Sequence, residues 1–179
     1  MIKAQKRQFL FAFSLLGLLN PLFIQNSVAK SSYFVSSWLI NLYVLNQSPF
    51  IKKLLFLQLS FLNPHLDFSK KEQRIFLTCD VEILLPQQSP MKGLVSLNSS
   101  FVYDPVRYQI FLKDPQLTSF TLDVFNAQEN QIIGQLSPII SNLFNGQAIY
   151  TLTAEDIKMF RKAPSSILIE DGGIRFYFD

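Results

Sequence analysis

The sequence contains very few of the side chains that build common catalytic and metal sites. Its 179 residues include one cysteine, Cys79, one histidine, His65, and only six glycines. A lone cysteine excludes an intramolecular disulfide, and one cysteine with one histidine falls short of the several ligands that a zinc site needs. Gly172-Gly173 is too short for a phosphate-binding glycine loop. We therefore expect no metal, no cofactor and no nucleotide site.

His65 is the one candidate for acid–base catalysis, because Asp67, Ser60 and Ser69 lie near it in sequence. A nucleophile, a histidine and an acid could be drawn from these residues, but no nucleophile elbow or fixed triad spacing accompanies them. Such a site is defined by geometry rather than by composition. We expect that the protein is not an enzyme and has no catalytic residue.

The N-terminus has the layout of a secretory signal peptide over residues 1–29. Lys3, Lys6 and Arg7 precede the apolar run Phe9–Leu19, and the small-residue site Ser27-Val28-Ala29 follows, which predicts cleavage after Ala29. The alternative is an uncleaved anchor, although the run is short for a span of roughly 20 residues. Cleavage would leave residues 30–179 as a single domain, and we expect that domain in the periplasm.

Removal of this segment also removes the basic excess. The full chain has 16 Lys and Arg against 13 Asp and Glu, and loss of three cations makes the two numbers equal. The high isoelectric point therefore mostly describes the segment that is discarded. It gives no reason to expect a nucleic-acid partner.

The strongest periodic pattern in the chain runs from Asn130 to Gly146 and predicts an amphipathic helix. Pro138 falls on its polar face, where the carbonyl that a helical proline leaves unbonded can turn to water, and Gly146 is a helix stop. The apolar residues recur at helical spacing on one face; they are Ile132, Ile133, Leu136, Ile139, Ile140, Leu143 and Phe144. We expect this face to be buried under a sheet.

Most of the remaining chain reads as strands. Arg74–Leu84 alternates cleanly and places Cys79 on the buried side. The other predicted strands are Leu54–Leu62, Lys92–Tyr103, Arg107–Lys113, Gln116–Phe125 and Ala148–Leu152, followed by a hairpin of Ser166–Glu170 and Ile174–Phe178. Asn63-Pro64 is predicted to end the first of these strands, and Asp114-Pro115 to form a turn. Short loops imply an antiparallel meander.

Two more helices are predicted. Thr153 caps one from Ala154 to about Lys162, and Ser36 caps one from Ser37 to about Asn46. The second is apolar around nearly its whole circumference, which favours burial. A helix lying on a membrane or over a lipid is the alternative, but this helix has no basic face to meet anionic headgroups.

The chain resembles the YceB-like lipoprotein family, a bacterial envelope domain of unknown function. The resemblance rests on Phe101-Val102-Tyr103-Asp104-Pro105 with Ile110 to Pro115, on Tyr33–Asn41, on the proline-bearing helix and on Tyr150-Thr151-Leu152. It implies an α+β fold in which an antiparallel sheet curls around a long C-terminal helix, with the N-terminal helix alongside. This is similar to one half of the tubular lipid-binding (BPI-like) fold.

The apolar surplus of the chain leaves two functions open. An apolar groove between sheet and helix could take a lipid or an acyl chain, with Leu136, Ile140, Leu143, Phe144, Phe56 and Phe101 as its expected lining. Otherwise the same residues fill a core, and the domain is a structural module that docks a partner protein of the envelope. Any membrane association would not use a lipid-modified cysteine, because the segment near Ala29 has none.

Overall fold

The computed structural model describes residues 31–123, 129–160 and 164–178, and these form two antiparallel sheets with three helices. The six-stranded sheet has the order β2-β3-β4-β5-β6-β7, and the three-stranded sheet has the order β1-β9-β8. The helices are α1 (Ser37–Asn46), α2 (Glu129–Phe144) and α3 (Ala154–Phe160). The strands are β1 (Ser31–Ser36), β2 (Phe50–Lys53), β3 (Gln58–Ser69), β4 (Arg74–Leu84), β5 (Met91–Asp104), β6 (Gln109–Leu122), β7 (Ala148–Thr151), β8 (Ser166–Glu170) and β9 (Gly173–Phe178).

The architecture is a mostly antiparallel, curled β-structure with a few helices, as the predicted α+β class requires. The meander arises because β3 to β6 each pair with the next strand in sequence. In β4 the predicted alternation is confirmed, since Ile75, Leu77, Cys79, Val81 and Ile83 are all buried. The predicted hairpin near the C-terminus is confirmed as β8 and β9, with Gly172 at a φ of 81° in its turn. The predicted signal peptide lies outside the described residues.

Helix α2 confirms the predicted amphipathic pattern but not the predicted long C-terminal helix. Leu136, Ile140 and Phe144 are buried, Pro138 is exposed, and the helix packs against β6. Gly146 adopts a φ of 77° just beyond its end, as expected of a helix stop. The helix has 16 residues, about 24 Å at 1.5 Å per residue. Since β7, α3, β8 and β9 follow it, the chain closes on strands, and the idea of a sheet wrapped around a long terminal helix is wrong.

Two proline pairs that were predicted to interrupt strands instead mark bulges within them. Strand β6 continues through Asp114-Pro115, where the register against β5 shifts and Asp114 has a φ of 50°. The amide of Asp114 is satisfied outside the sheet by Asn145 Oδ1 at 3.0 Å. Strand β3 likewise continues through Asn63-Pro64, with Asn63 at a φ of 48°. Proline donates no ladder hydrogen bond, and a bulge is one of the few strand positions that needs none.

Helix α1 begins at the predicted cap, where the Leu39 amide donates to Ser36 Oγ at 3.4 Å. The predicted burial of its whole circumference is wrong. Only Ile40 and Val44 are buried, while Trp38 is 67% exposed, and Leu42 and Leu45 also meet solvent. The helix packs against β3 along one side, and no element among the described residues covers the other. Within residues 31–123, 129–160 and 164–178, no helix is both long and apolar enough to cross a bilayer.

Two amide side chains connect elements by hydrogen-bonding to a strand backbone, as a neighbouring strand would. Asn41 of α1 donates to the Leu66 carbonyl at 2.9 Å and accepts from the Leu66 amide at 2.7 Å. Gln73, in the β3–β4 turn, forms the same pair of bonds with Ile169 of β8, both at 2.9 Å. Each amide satisfies the backbone N–H and C=O of one strand residue. Asn41 thereby fixes α1 on β3, and Gln73 fixes the two sheets against each other.

Candidate functional site

A small apolar cavity lies between the C-terminal ends of α1 and α2 and the core-facing side of the six-stranded sheet. Its volume is about 80 Å³. The lining comes from both helix ends and from five strands, so the site depends on the complete arrangement of these elements. The lining residues are Val44, Gln47, Ser48, Phe50, Phe61, Pro64, Leu66, Leu77, Cys79, Leu112, Phe144, Gln147, Ala148 and Ile149.

Three phenylalanine rings form one wall of this cavity. The Phe61 and Phe144 ring centroids are 4.9 Å apart in an edge-on arrangement, and Phe50 lies 6.0 Å from each of them. Phe50 and Phe61 are direct partners in the β2–β3 ladder, and Phe144 is the last residue of α2. Pairs at such distances contribute about 0.5–1.5 kcal/mol beyond their buried area. The wall is therefore fixed by packing rather than by polar contacts.

The core-facing side of the same sheet also contributes Leu66, Leu77, Cys79 and Leu112, which are buried. Burial, with a smaller contribution from Asp80, raises the pKa of the Cys79 thiol to about 12. The thiol is thus protonated at neutral pH, and a thiol is a far weaker nucleophile than a thiolate. Cys79 acts here as a small apolar side chain.

Polar residues lie where the cavity approaches solvent. Gln47 is exposed just after α1, and Ser48 and Gln147 are half-buried beside it in the lining. The segment that carries Gln147 is held to β6 by backbone hydrogen bonds, in which Leu112 donates to Gln147 at 3.0 Å and Gly146 donates to Leu112 at 2.9 Å. The site is thus apolar inside and polar at its opening.

The size of the cavity limits what it can hold. A dry engineered cavity of about 150 Å³ takes a benzene molecule, and drug-sized ligands occupy about 300–1,000 Å³. At about 80 Å³, the cavity accepts only a narrow apolar group unless the surrounding segments move. The cavity is therefore a small defect in the packing of the core.

Of the six predicted ligand-contacting residues, Phe144 lines this cavity. Leu136 and Ile140 are buried on the same face of α2, and Leu143 is half-buried against the core, but none of these three reaches the cavity. Phe101, on β5, also packs half-buried against the core. Phe56 lies in the β2–β3 connection, where it is 66% exposed and lines a different, open groove. The structure therefore does not gather the six residues into one groove under α2.

The lining residues that were not predicted had partial signals in the sequence. Leu77 and Cys79 lie on the inward face of β4 that the alternation predicts, and Phe61 belongs to the apolar run that precedes Asn63. Nothing in the pattern of β2 or β7 indicates that Phe50 and Ile149 approach the same space. Their convergence is a property of the tertiary fold.

The histidine candidate does not gain a catalytic arrangement in the structure. His65 Nε2 lies 3.5 Å from Asp67 Oδ1, and both side chains are exposed. Ser60 and Ser69 are five and four positions away from His65 along β3, which corresponds to roughly 13–16 Å at about 3.3 Å per residue. Neither serine is within hydrogen-bonding reach of the imidazole. Among the described residues, no group of three or more His, Cys, Asp or Glu side chains could hold a metal ion.

Comparison with known proteins places this fold in one family. The family model described as "Protein of unknown function (DUF1439)" matches residues 37–173. No curated protein matches the chain. A solved structure described as "Crystal structure of lipopolysaccharide binding protein" is similar over 82% of this chain and 39% of its own length, with 11% identity and a TM-score of 0.28. The narrower resemblance to YceB-like lipoproteins stays a prediction.

Proposed function

For this chain, which belongs to the family of proteins of unknown function DUF1439, we propose that it binds a slender apolar ligand, such as the acyl chain of a lipid. The site is the cavity between α1, α2 and the six-stranded sheet. The observation that carries the proposal is an apolar space of about 80 Å³ left unfilled in an otherwise packed core. Empty apolar space costs free energy that a ligand recovers by filling it.

The distribution of polarity around the cavity favours an amphiphile. An acyl chain gains about 0.8 kcal/mol for each methylene removed from water, and the phenylalanine wall and the inward face of β4 supply that environment. Gln47, Ser48 and Gln147 lie at the opening, where their amides and hydroxyl can hydrogen-bond a polar headgroup. A ligand longer than the cavity would enter by displacing residues 47–49, which connect α1 to β2.

We place this activity in the periplasm, in a non-enzymatic accessory protein that is released by cleavage after Ala29. The support is the order of cations, apolar run and small residues at the N-terminus, together with the YceB-like and BPI-like resemblance. The mass of protein taken from the envelope fraction tests this step. A mass equal to that of the full chain would contradict the cleavage.

The ligand site is tested by displacement of a fluorescent fatty acid from the purified protein. Cys79→Leu places a larger side chain in the cavity, so we expect it to weaken probe binding at least tenfold. Val81→Leu is the matched control, because Val81 is the next inward residue of β4 and does not line the cavity. Equal probe binding by the wild type and Cys79→Leu would refute the site, as would an absence of binding by the wild type.

The alternative function, a protein-interaction module of the cell envelope, is favoured by one observation. Trp38, Leu42 and Leu45 form an exposed apolar stripe on α1, at the edge of a groove that also includes Pro64 and His65. Native mass spectrometry of protein taken from the envelope separates the two functions. A co-purifying lipid supports the ligand site, whereas a lipid-free protein whose thermal stability is unchanged by fatty acids supports the interaction module.

A further inference from the structure

One end of the six-stranded sheet exposes a cluster of large apolar side chains. We call it the hairpin end and define it as residues 51–58, from β2 through the β2–β3 connection to the start of β3, together with residues 84–91, from the end of β4 to the start of β5. Leu55 is fully exposed, Phe56 is 66% exposed, and Ile51 and Leu84 are also exposed. A leucine and a phenylalanine adjacent in one short connection and both facing water are costly for a surface that stays in solvent.

The strand register brings these residues together. Lys53 is opposite Gln58, which in turn is opposite Leu84, so the three lie side by side across the last rung of the sheet. Beyond that rung, the two connections enclose an open groove of about 400 Å³ that Leu55, Phe56 and Pro86 help to line. The hairpin end is thus one connected surface, in which the exposed apolar side chains lie close together.

The charge of the same surface is positive. Lys52 and Lys53 are exposed, and neither forms an ion pair with another described residue. Residues 51–58 and 84–91 contain no acidic side chain. Glu82 of β4 pairs with Lys92 at 3.2 Å rather than with either of these lysines. Lys52 and Lys53 therefore lie close in sequence to Leu55 and Phe56 and have no ion-pair partner in the described part of the chain.

Two other exposed regions lack this combination. At the opposite end of the sheet, Lys70 is 3.4 Å from Asp171, and Arg107 is 3.8 Å from Asp104 next to the exposed Val106. That end is mixed in charge, as expected for a solvated surface. The apolar stripe on α1 lies in a helix without any charged residue. The hairpin end, by contrast, combines exposed apolar side chains with two lysines that have no ion-pair partner among the described residues.

We propose that the hairpin end docks the protein on an anionic phospholipid surface. Leu55 and Phe56 enter the boundary between headgroups and acyl chains, while Lys52 and Lys53 meet the lipid phosphates. Apolar insertion combined with attraction to anionic lipid is how peripheral proteins bind an interface without spanning it. The proposal concerns a surface on the outside of the domain, and it does not depend on the ligand cavity.

The test is co-sedimentation with vesicles, using protein as the expressing cell leaves it, with the same N-terminus verified by mass in every variant. We expect binding to vesicles of phosphatidylcholine and phosphatidylglycerol that weakens with salt, and much weaker binding to phosphatidylcholine alone. Leu55→Ser with Phe56→Ser should reduce binding by a factor of about ten or more. Lys52→Gln with Lys53→Gln should reduce it about fivefold per lysine. All four side chains are exposed, so these variants keep the fold, which circular dichroism verifies.

The matched control is Trp38→Ser with Leu42→Ser, which removes an equally apolar exposed pair from α1 and should leave vesicle binding unchanged. Trp38 is the single tryptophan, so its emission should not shift to the blue when vesicles are added. In a Trp38→Phe background, the tryptophan emission of Phe56→Trp should shift to the blue when vesicles are added.

Loss of binding in the α1 variant but not in the hairpin variant overturns the proposal. Equal binding to neutral and anionic vesicles also overturns it, and so does no binding to either; this last result would assign the surface to a protein partner. Cys79→Leu separates the two sites, because it should weaken binding of the fatty-acid probe at least tenfold and leave vesicle binding intact.

Discussion

Filling the cavity through Cys79 should stabilise the protein, which is unusual for an enlarged core side chain. Leucine has two more heavy atoms than cysteine at a position that lines about 80 Å³ of empty space. At about 24 cal/mol per Å³, that space represents about 1.9 kcal/mol of lost packing. Counted instead as two added methylene-sized groups, the gain is about 1.6 kcal/mol. We expect Cys79→Leu to raise the free energy of unfolding by about 1–2 kcal/mol.

The measurement is urea unfolding followed by far-ultraviolet circular dichroism, with thermal unfolding as a second readout. An increase of 1 kcal/mol corresponds to about 2–4 °C in Tm for a domain of this size. Val81→Leu is again the control, because Val81 is fully buried on the same face of β4 and has no cavity beside it. One added methylene in a filled core costs about 1–3 kcal/mol. Destabilisation by Cys79→Leu comparable to that of Val81→Leu would show that the space does not exist in solution.

Three further predictions concern other parts of the fold. Thr153→Ala should cost about 1 kcal/mol in urea unfolding, since the Thr153 hydroxyl accepts from the Asp156 amide at 3.2 Å and donates to its carboxylate at 2.7 Å; Glu155→Ala, at an exposed site in the same turn, should change little. The pKa of Cys79 is raised from 9.0 to about 12, so the unfolded chain releases this proton first. The Cys79 contribution to the free energy of unfolding should then be constant below pH 9 and fall between pH 9 and pH 12, and Cys79→Ala should show a shallower decline over that range. Gly173→Ala should destabilise strongly, because the added Cβ would collide with the Val35 carbonyl across the β1–β9 pair; Gly134→Ala, which meets nothing within 4 Å in the interior of α2, should stabilise by about 0.5–1 kcal/mol.

Side-chain periodicity predicted the elements that bury one face. Strand β4 was predictable because every second residue of a strand faces the core and must be apolar. Helix α2 was predictable because its apolar residues recur with the helical period of 3.6 residues. Proline was misleading at two positions, since Asn63-Pro64 and Asp114-Pro115 carry the composition of a turn. The neighbouring strand tolerates a bulge at each of them, and that tolerance depends on the partner rather than on the local sequence.

The parts that could not be predicted are those set by long-range pairing. Strands β1 and β2 are short, and their identity as strands comes from β9 and β3. No local pattern indicates that Asn41 and Gln73 bond to strand backbones far away in sequence. The cavity is equally hidden, because Phe144 has the same apolar character whether its neighbours fill the space beside it or leave part of it empty. Exposure of Leu55 and Phe56 is a similar case, since the apolar run that contains them reads as a buried strand.

The pairing of β1 with β9 also constrains the order of folding. Ser31 is opposite Phe178 in this ladder, and a hydrogen bond from Arg175 to Ser32 joins side chains 143 positions apart. A chain made from its N-terminus presents β1 long before β9 exists, so its backbone has no strand to pair with while β3 to β6 can already form their hairpins. Closing so large a loop is slow, because its entropy is lost before the pairing is gained. Docking of β1 should therefore be a late event in folding, and a chain interrupted before β9 would leave an unpaired strand open to pairing with other molecules.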